Sequence, residues 1–253
     1  MSQQKNISLP LHNHKRAIVV GASSGIGAAL VNKLAQENYT VAALARREEQ
    51  LTAVCQEIPS AIPYVHDVTD YNAIPDLFGK ITQDIGGLDM IIYVAGIQPP
   101  VATDEYNTQK DKAMIETNLI GAIAWLNLAA ARFERAQQGQ IVGISSIAGD
   151  RGRVGSPVYN ASKASLNTYL EALRNRLSKK GVTVTTIKPG FVDTVLLENA
   201  PKTFWVISPD KAAAAIFAAV QKKRQIAYVP ARWAMVGLIV RHIPSFVFRR
   251  LSF

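Results

Sequence analysis

Three features of the sequence predict a doubly wound α/β fold, a parallel sheet of seven strands with helices on both faces. Short apolar runs of strand length alternate with longer segments of helical periodicity along 253 residues. The strand-length runs are continuously apolar, as expected for strands covered on both faces. A glycine-rich turn, Gly21-Ala22-Ser23-Ser24-Gly25-Ile26-Gly27, joins the first run to the first helical segment. Strands separated by helices pair in parallel through right-handed crossovers, and such sheets bind ligands at the carboxyl ends of their strands.

The elements follow in order. Residues 17–21 (AIVVG) read as a buried strand and 25–37 as a helix. Residues 40–45 form a second strand, 47–57 a helix and 62–66 a third strand. Asp70 is a candidate N-cap for a helix reaching about residue 85. A fourth strand at 89–95 precedes one long helix over 107–136, and 139–145 is the fifth strand. Pro157 fits the first turn of a helix over 158–180. Strand six, 182–188, ends at Pro189-Gly190; a helix over 208–223 and a strand at 225–229 complete the sheet. From Ala231 the chain reads as helical with a break near Pro244. With no linker or repeat, 1–253 reads as a single domain ending in a basic, apolar extension.

Composition narrows the function. The apolar share of 48% suffices for one large core. The single cysteine, Cys55, excludes an intrachain disulfide and fits a reducing, cytoplasmic compartment. The four histidines are scattered (His12, His14, His66 and His242), so no metal site is expected. Residues 1–15 are polar and read as a loose tail, not a secretory signal, and no run of 18 apolar residues predicts a membrane span. The net charge of +9 is uneven: residues 211–253 carry eight Lys and Arg and no Asp or Glu. The aromatic and apolar residues among them (Trp233, Phe246, Phe248, Phe253) favour a lipid surface or hydrophobic substrate over nucleic acid.

The glycine turn opens a helix directly after a buried strand, the setting in which such a turn holds a pyrophosphate. Missing side chains let the backbone approach phosphate, and the helix start supplies free N–H groups and partial positive charge. The spacing is G-x-x-x-G-x-G. A carboxylate for a ribose 2′-hydroxyl is absent at the end of strand two, where Arg46 and Arg47 follow Ala45. A guanidinium forks onto phosphate oxygens, so NADP(H) is expected over NAD(H). Asp67 and Val68 after strand three stand where a side chain reaches an adenine, and Ala95-Gly96 after strand four leaves room for a cofactor.

Two Tyr-x-x-x-Lys sequences occur, Tyr106–Lys110 and Tyr159–Lys163. The second follows a serine at a strand end, Ser146, and begins a helix; the first has no such setting. At i and i+4 the two side chains share a helix face, and a neighbouring ammonium is expected to lower the phenol pKa. Tyr159 can then exchange a proton with a carbonyl or alcohol oxygen, Lys163 can bond a ribose, and Ser146 can polarise the substrate oxygen. Ser145 is expected to face the other side.

Together with Leu88-Asp89, Asn118 in Glu-Thr-Asn-Leu-Ile-Gly, Ile144-Ser145-Ser146 and Lys188-Pro189-Gly190-Phe-Val-Asp-Thr194, these motifs make the chain resemble the short-chain dehydrogenase/reductase family over residues 17–195. The resemblance implies a tetrad of Asn118, Ser146, Tyr159 and Lys163, in which the asparagine holds a water linking the lysine to a proton relay. The family interval to Tyr159 selects Ser146 over Ser145. Ser23, Ser24, Ile26, Pro189, Gly190 and Thr194 then join the glycines, Arg46, Arg47, Asp67, Val68, Ala95, Gly96, Tyr159 and Lys163 as cofactor contacts. Two positions depart from the family pattern: Val20 replaces threonine before the first glycine, and Tyr93-Val94 replaces an asparagine pair before Ala95-Gly96.

Substrate choice in this family lies largely beyond Gly190, where Val195 to Val206 is apolar and aromatic; a hydrophobic, lipid-like carbonyl or alcohol is the expected partner. Residues 231–253 are read in two ways, as basic amphipathic helices on an anionic membrane, with Trp233, Phe246 and Phe248 inserted, or as a cover for the cleft or a subunit contact. The long helices 107–136 and 158–180 resemble those through which family members form dimers and tetramers. The reading is an NADP(H)-dependent carbonyl or alcohol oxidoreductase. A non-catalytic NADPH-binding sensor or scaffold is the alternative from another class. A sugar-nucleotide epimerase is disfavoured by the glycine spacing and the short C-terminal region.

Overall fold

The structure, a computed structural model, describes residues 15–199 and 203–251. The expected tail lies outside the described residues except for Lys15, which begins the first strand. Seven parallel strands, β1 (Lys15–Val20), β2 (Tyr39–Ala45), β3 (Ala61–Val65), β4 (Met90–Tyr93), β5 (Gly139–Ile144), β6 (Val182–Pro189) and β7 (Ile226–Val229), form one sheet in the order 3-2-1-4-5-6-7. The order reverses between β1 and β4, which places a crevice at their carboxyl ends.

Alternate residues of each strand enter opposite cores. Ala17 and Val19 of β1 join α1 (Gly25–Gln36), α2 (Glu48–Gln56) and α7 (Pro209–Gln221) on one face. Ile18 and Val20 meet α3 (Ile74–Asp84), α5 (Gly121–Ala136) and α6 (Pro157–Leu177) on the other. Each core is buried from solvent, and its burial is the main force holding helices to sheet. Cys55 is buried on α2, and burial raises its thiol pKa.

The structure corrects the expected elements in three places. Strand four stops at Tyr93, not Ala95, because the N–H groups of Val94 and Ala95 both turn to the Val20 carbonyl, at 2.8 and 2.9 Å. The helix assigned to Asp70 begins at Ile74, with Pro75 in its first turn; Asp70 instead accepts from the Ala73 N–H at 3.4 Å. The long helix is α4 (Thr108–Ile115) and α5, joined by a π-helical turn over Glu116–Ile120. In that turn Gly121 N–H donates to the Glu116 carbonyl, five residues back. By length and composition the run Thr108–Ala136 could cross a membrane, but Trp125, Leu126, Ala129 and Phe133 bury one face of it against the sheet.

The C-terminal chain forms α8 (Trp233–His242) and α9 (Ser245–Phe248). A buried network anchors α8: Lys188 on β6 pairs with Asp150 at 2.5 Å, and Asp150 accepts from the Tyr228 hydroxyl at 2.7 Å. Gly237 of α8 lies on this network, where a Cβ would stand 2.7 Å from Asp150 Oδ2. Arg151 donates to the Val240 and Ile243 carbonyls at the carboxyl end of α8.

Candidate active site

The glycine turn is held against the crevice. Gly21 adopts φ +97°, and a Cβ there would stand 2.5 Å from Ala95 N. A Cβ on Gly27 would overlap the Gly21 carbonyl oxygen, so this residue sets how closely α1 approaches the turn. Gly25, at φ +54°, lies under the Thr194 methyl, 2.8 Å from where its Cβ would be. Thr194 thus leans over the start of α1, and a cradle emptied of side chains fits a pyrophosphate.

At the end of β2 the two arginines divide. Arg47 donates to the Ser23 and Ser24 hydroxyls at 2.9 and 2.6 Å, tying them to the turn. Arg46 is 72% exposed and pairs with Asp67 at 3.3 Å, the carboxylate that follows β3. Asp67 also accepts from the Thr69 N–H and hydroxyl, and these bonds with Arg46 hold its pKa below the ordinary range against the opposing cost of burial. Ile26 packs partly buried on the core. The Val68 side chain is buried against Gly121 and enters the core.

Four side chains converge beyond β4 and β5. Asn118, fully buried in the π turn, exchanges two bonds with Ile97: Ile97 N–H donates to Oδ1 at 2.7 Å, and Nδ2 donates to the Ile97 carbonyl at 3.0 Å. Nδ2 also lies 3.2 Å from the Ser162 hydroxyl. A Cβ on Gly96 would stand 3.3 Å from both Asn118 Oδ1 and Lys163 Nζ, so Gly96 marks where these groups meet. Lys163, 4% exposed, donates to the Ile144 carbonyl at 3.1 Å, and its Nζ lies 5.8 Å from the Tyr159 ring centroid. Ser146 caps a short 3-10 turn by accepting from Ala148 N–H at 3.1 Å and hydrogen-bonds the Tyr159 side chain. Ser145 points the other way, donating to the Lys163 carbonyl at 3.1 Å, as the strand alternation predicts.

The electrostatics differ from the expectation. Burial raises the Tyr159 phenol above its ordinary value, although the Ser146 hydrogen bond and the charge of Arg153 act to lower it. Burial also pulls the Lys163 ammonium down to about 8. Dehydration therefore outweighs the Ser146 hydrogen bond and the Arg153 charge, and the phenol is raised where a lowering by Lys163 is the expectation. The other Tyr-x-x-x-Lys sequence is a chance match: Tyr106 is 94% exposed, and Lys110 is held by Glu105 at 2.7 Å.

Several contributors escaped the sequence reading. Tyr93, at the departure from the family pattern, donates to the Thr117 carbonyl at 2.6 Å, so its phenol partners a carbonyl of the π turn. Ser162, inside the Tyr159–Lys163 interval, supports Asn118; a small polar residue beside two motif residues was the available signal. Trp233 is 3% exposed and packs on Gly190, where a Cβ would overlap its indole nitrogen. That corrects the assignment of Trp233 to membrane insertion, since the ring belongs to an aromatic cluster with Phe191, Phe204 and Trp205. Phe248 is also partly covered, with Arg151 stacked 4.0 Å from its ring centroid. Pro189 ends β6 beside Val229, and Gly190 N–H donates to the Val229 carbonyl at 2.9 Å.

Comparison with known proteins places these features. The family described as short chain dehydrogenase matches residues 15–204. An uncharacterized oxidoreductase of Myxococcus xanthus is 36% identical over 204 residues, 78% of this chain and 81% of that protein. Carbonyl reductase family member 4 of Xenopus tropicalis is 33% identical over 180 residues, 71% of this chain and 76% of that protein. Among solved structures, "ElxO with NADP Bound" superimposes with a TM-score of 0.75 at 21% identity, over 85% of this chain and 96% of that one, which supports the fold. The matched span holds the glycine turn, Asn118, Ser146, Tyr159 and Lys163, and the chain belongs to the short-chain dehydrogenase family, as an NAD(P)-dependent oxidoreductase acting on CH–OH or carbonyl groups.

Proposed function

We propose that the protein interconverts a hydrophobic carbonyl and its secondary alcohol with NADP(H), and that Tyr159 carries the proton. The observation behind this reading is the buried Tyr159 phenol bonded to Ser146, with Lys163 and Asn118 meeting at Gly96. In the direction of reduction the proton donor must be protonated, and a phenol whose pKa is raised by burial remains so at neutral pH. Ser146 holds the substrate oxygen beside that phenol. Lys163, titrating near 8, supplies a positive charge as the phenolate forms, and Asn118 fixes the backbone at Ile97, next to Gly96. When bound, the nicotinamide supplies or accepts the hydride. The glycine cradle, Ser23, Ser24, Ala95, Gly96, Pro189, Gly190 and Thr194 would hold the dinucleotide.

NADP(H) is the preferred form in this reading because Arg46 and Arg47 end β2 and no carboxylate takes that place. The name of one similar structure, ElxO with NADP bound, agrees with it. The aromatic cluster of Phe191, Phe204 and Trp233, in the segment after Gly190, supports an apolar substrate. NADPH oxidation should be followed with a panel of apolar ketones and with Tyr159→Phe. Comparable turnover by the variant would overturn the mechanism, and NADPH binding without turnover of any ketone would favour a sensor or scaffold.

A second reading concerns α8. Met235, Leu238 and Ile239 on α8 and Phe246 on α9 are more than half exposed, in a segment without acidic residues. We propose that this stripe meets an anionic membrane. Co-sedimentation with phosphatidylserine vesicles should fall in Leu238→Glu/Ile239→Glu; equal partitioning would remove the reading. Assembly through α4–α5 and α6 into dimers or tetramers is likewise proposed, and a monomer in light scattering would exclude it.

A further inference from the structure

A second cleft lies between residues 151–154, which precede α6, and residues 245–251. It has a volume of about 500 Å³, and its lining includes Arg151, Arg153, Val154, Phe248, Arg249 and Leu251. Among the described residues, no acidic residue lines it. Its three arginines differ in what they do. Arg151 is committed to the carboxyl end of α8 and to the Phe248 ring, so it forms a fixed wall. Arg249 is exposed at the rim.

Arg153 is half-buried, and its Nε is shut off from solvent with no hydrogen-bond partner among the described residues. No carboxylate pairs with it among the described residues. Burying a guanidinium without a counter-ion is costly, and protein interiors place one there when something completes it. The groups that match its planar fork are carboxylate and phosphate oxygens. Arg153 stands six residues before Tyr159, close enough for its charge to act on that phenol. The remaining lining, Val154, Phe248 and Leu251, suits an apolar body beside the anion.

We propose that this cleft binds a carboxylate or phosphate carried by the carbonyl substrate itself, and that Arg153 is the specificity-determining residue that reads it. This inference rests on the proposed carbonyl chemistry at Tyr159 and narrows its substrate class to anionic amphiphiles. The carbonyl lies at Tyr159, the anion at Arg153, and the apolar portion along the wall between the loop and α9.

The test pairs medium-chain oxo-carboxylates, differing in the distance from carbonyl to carboxylate, with their methyl esters under NADPH. The wild type should prefer at least one acid over its ester through KM. Arg153→Gln should raise that acid's KM about tenfold or more relative to the ester's, the worth of one charge-assisted contact, while the loss of its charge near Tyr159 acts on kcat for acid and ester alike. Decanoate and decyl phosphate, which lack a carbonyl, should bind the NADPH-loaded enzyme and lose affinity in Arg153→Gln; their relative affinities tell carboxylate from phosphate. Three results would overturn the proposal: no acid preference in the wild type, an acid-to-ester KM ratio unchanged in the variant, or unchanged binding of both amphiphiles. The wild-type comparison needs no variant and stands if Arg153→Gln fails to fold. Should no ketone turn over while decanoate binding still depends on Arg153, the catalytic reading fails and the anion site survives. Should the esters react through Tyr159 with no acid preference, the reverse holds.

Discussion

In the cofactor-free protein, Lys163 should make folding stability rise with pH. Its ammonium is buried and its pKa is about 8, against an ordinary value of 10.5 in the unfolded chain. A base whose pKa is lowered on folding penalises the native state wherever the unfolded chain holds more protons. The penalty is therefore full below pH 8, shrinks between 8 and 10.5, and vanishes above. Across the whole interval the shift is worth roughly 3 kcal/mol at about 1.4 kcal/mol per unit. About 2 kcal/mol of this should be recovered between about pH 6.5 and pH 9.5, on integrating the linkage relation. The assay is urea unfolding of the wild type and Lys163→Met at several pH values in that range. Tyrosines with raised pKa values (Tyr64, Tyr93, Tyr169) contribute to both proteins and cancel in the difference. The wild type should gain on the variant by about 2 kcal/mol as pH rises. A difference that stays flat would show that the ammonium is fully compensated in the folded state and that burial does not govern its titration.

Three further outcomes follow from the geometry. Gly27→Ala should destabilise the fold by about 3 kcal/mol and abolish dinucleotide binding, because its Cβ meets a carbonyl that cannot withdraw. Gly79→Ala, on an open face of α3, should instead stabilise by roughly 0.5–1 kcal/mol; thermal melts of both proteins check the pair. Tyr93→Phe should cost about 1–3 kcal/mol in urea unfolding, since it strips the donor from the Thr117 carbonyl; a loss near zero would mean that carbonyl finds another partner. Arg46→Glu should raise the KM for NADPH about tenfold or more relative to that for NADH, and an equal change for both would refute its role at the 2′-phosphate.

The sheet was legible because its signal is local. Most strands are short apolar runs, such as AIVV in β1 and MIIY in β4, and parallel pairing follows from the helices between them. The glycine turn and Tyr159–Lys163 were legible for the same reason, since their spacing carries their geometry. The π turn was not, because inserting one residue leaves the surrounding helical periodicity almost unchanged. Its one trace was a polar Asn118 at a position that is fully buried. The raised Tyr159 pKa was missed because desolvation depends on what covers the phenol, and much of that cover comes from distant segments. Trp233 misled for a related reason: an aromatic beside basic residues looks interfacial until Gly190, just past β6, is seen to receive it.

The meeting of Gly190 and Trp233 has a consequence for exchanging parts between relatives. The indole occupies the volume that any side chain at position 190 would need. The end of β6 and the start of α8 therefore behave as a lock whose two halves are encoded far apart. A chimera that imports a C-terminal segment to change substrate choice must import a compatible residue at 190 with it. Without that match, the graft would displace the segment leading to Thr194, and a lost activity would be mistaken for a changed specificity.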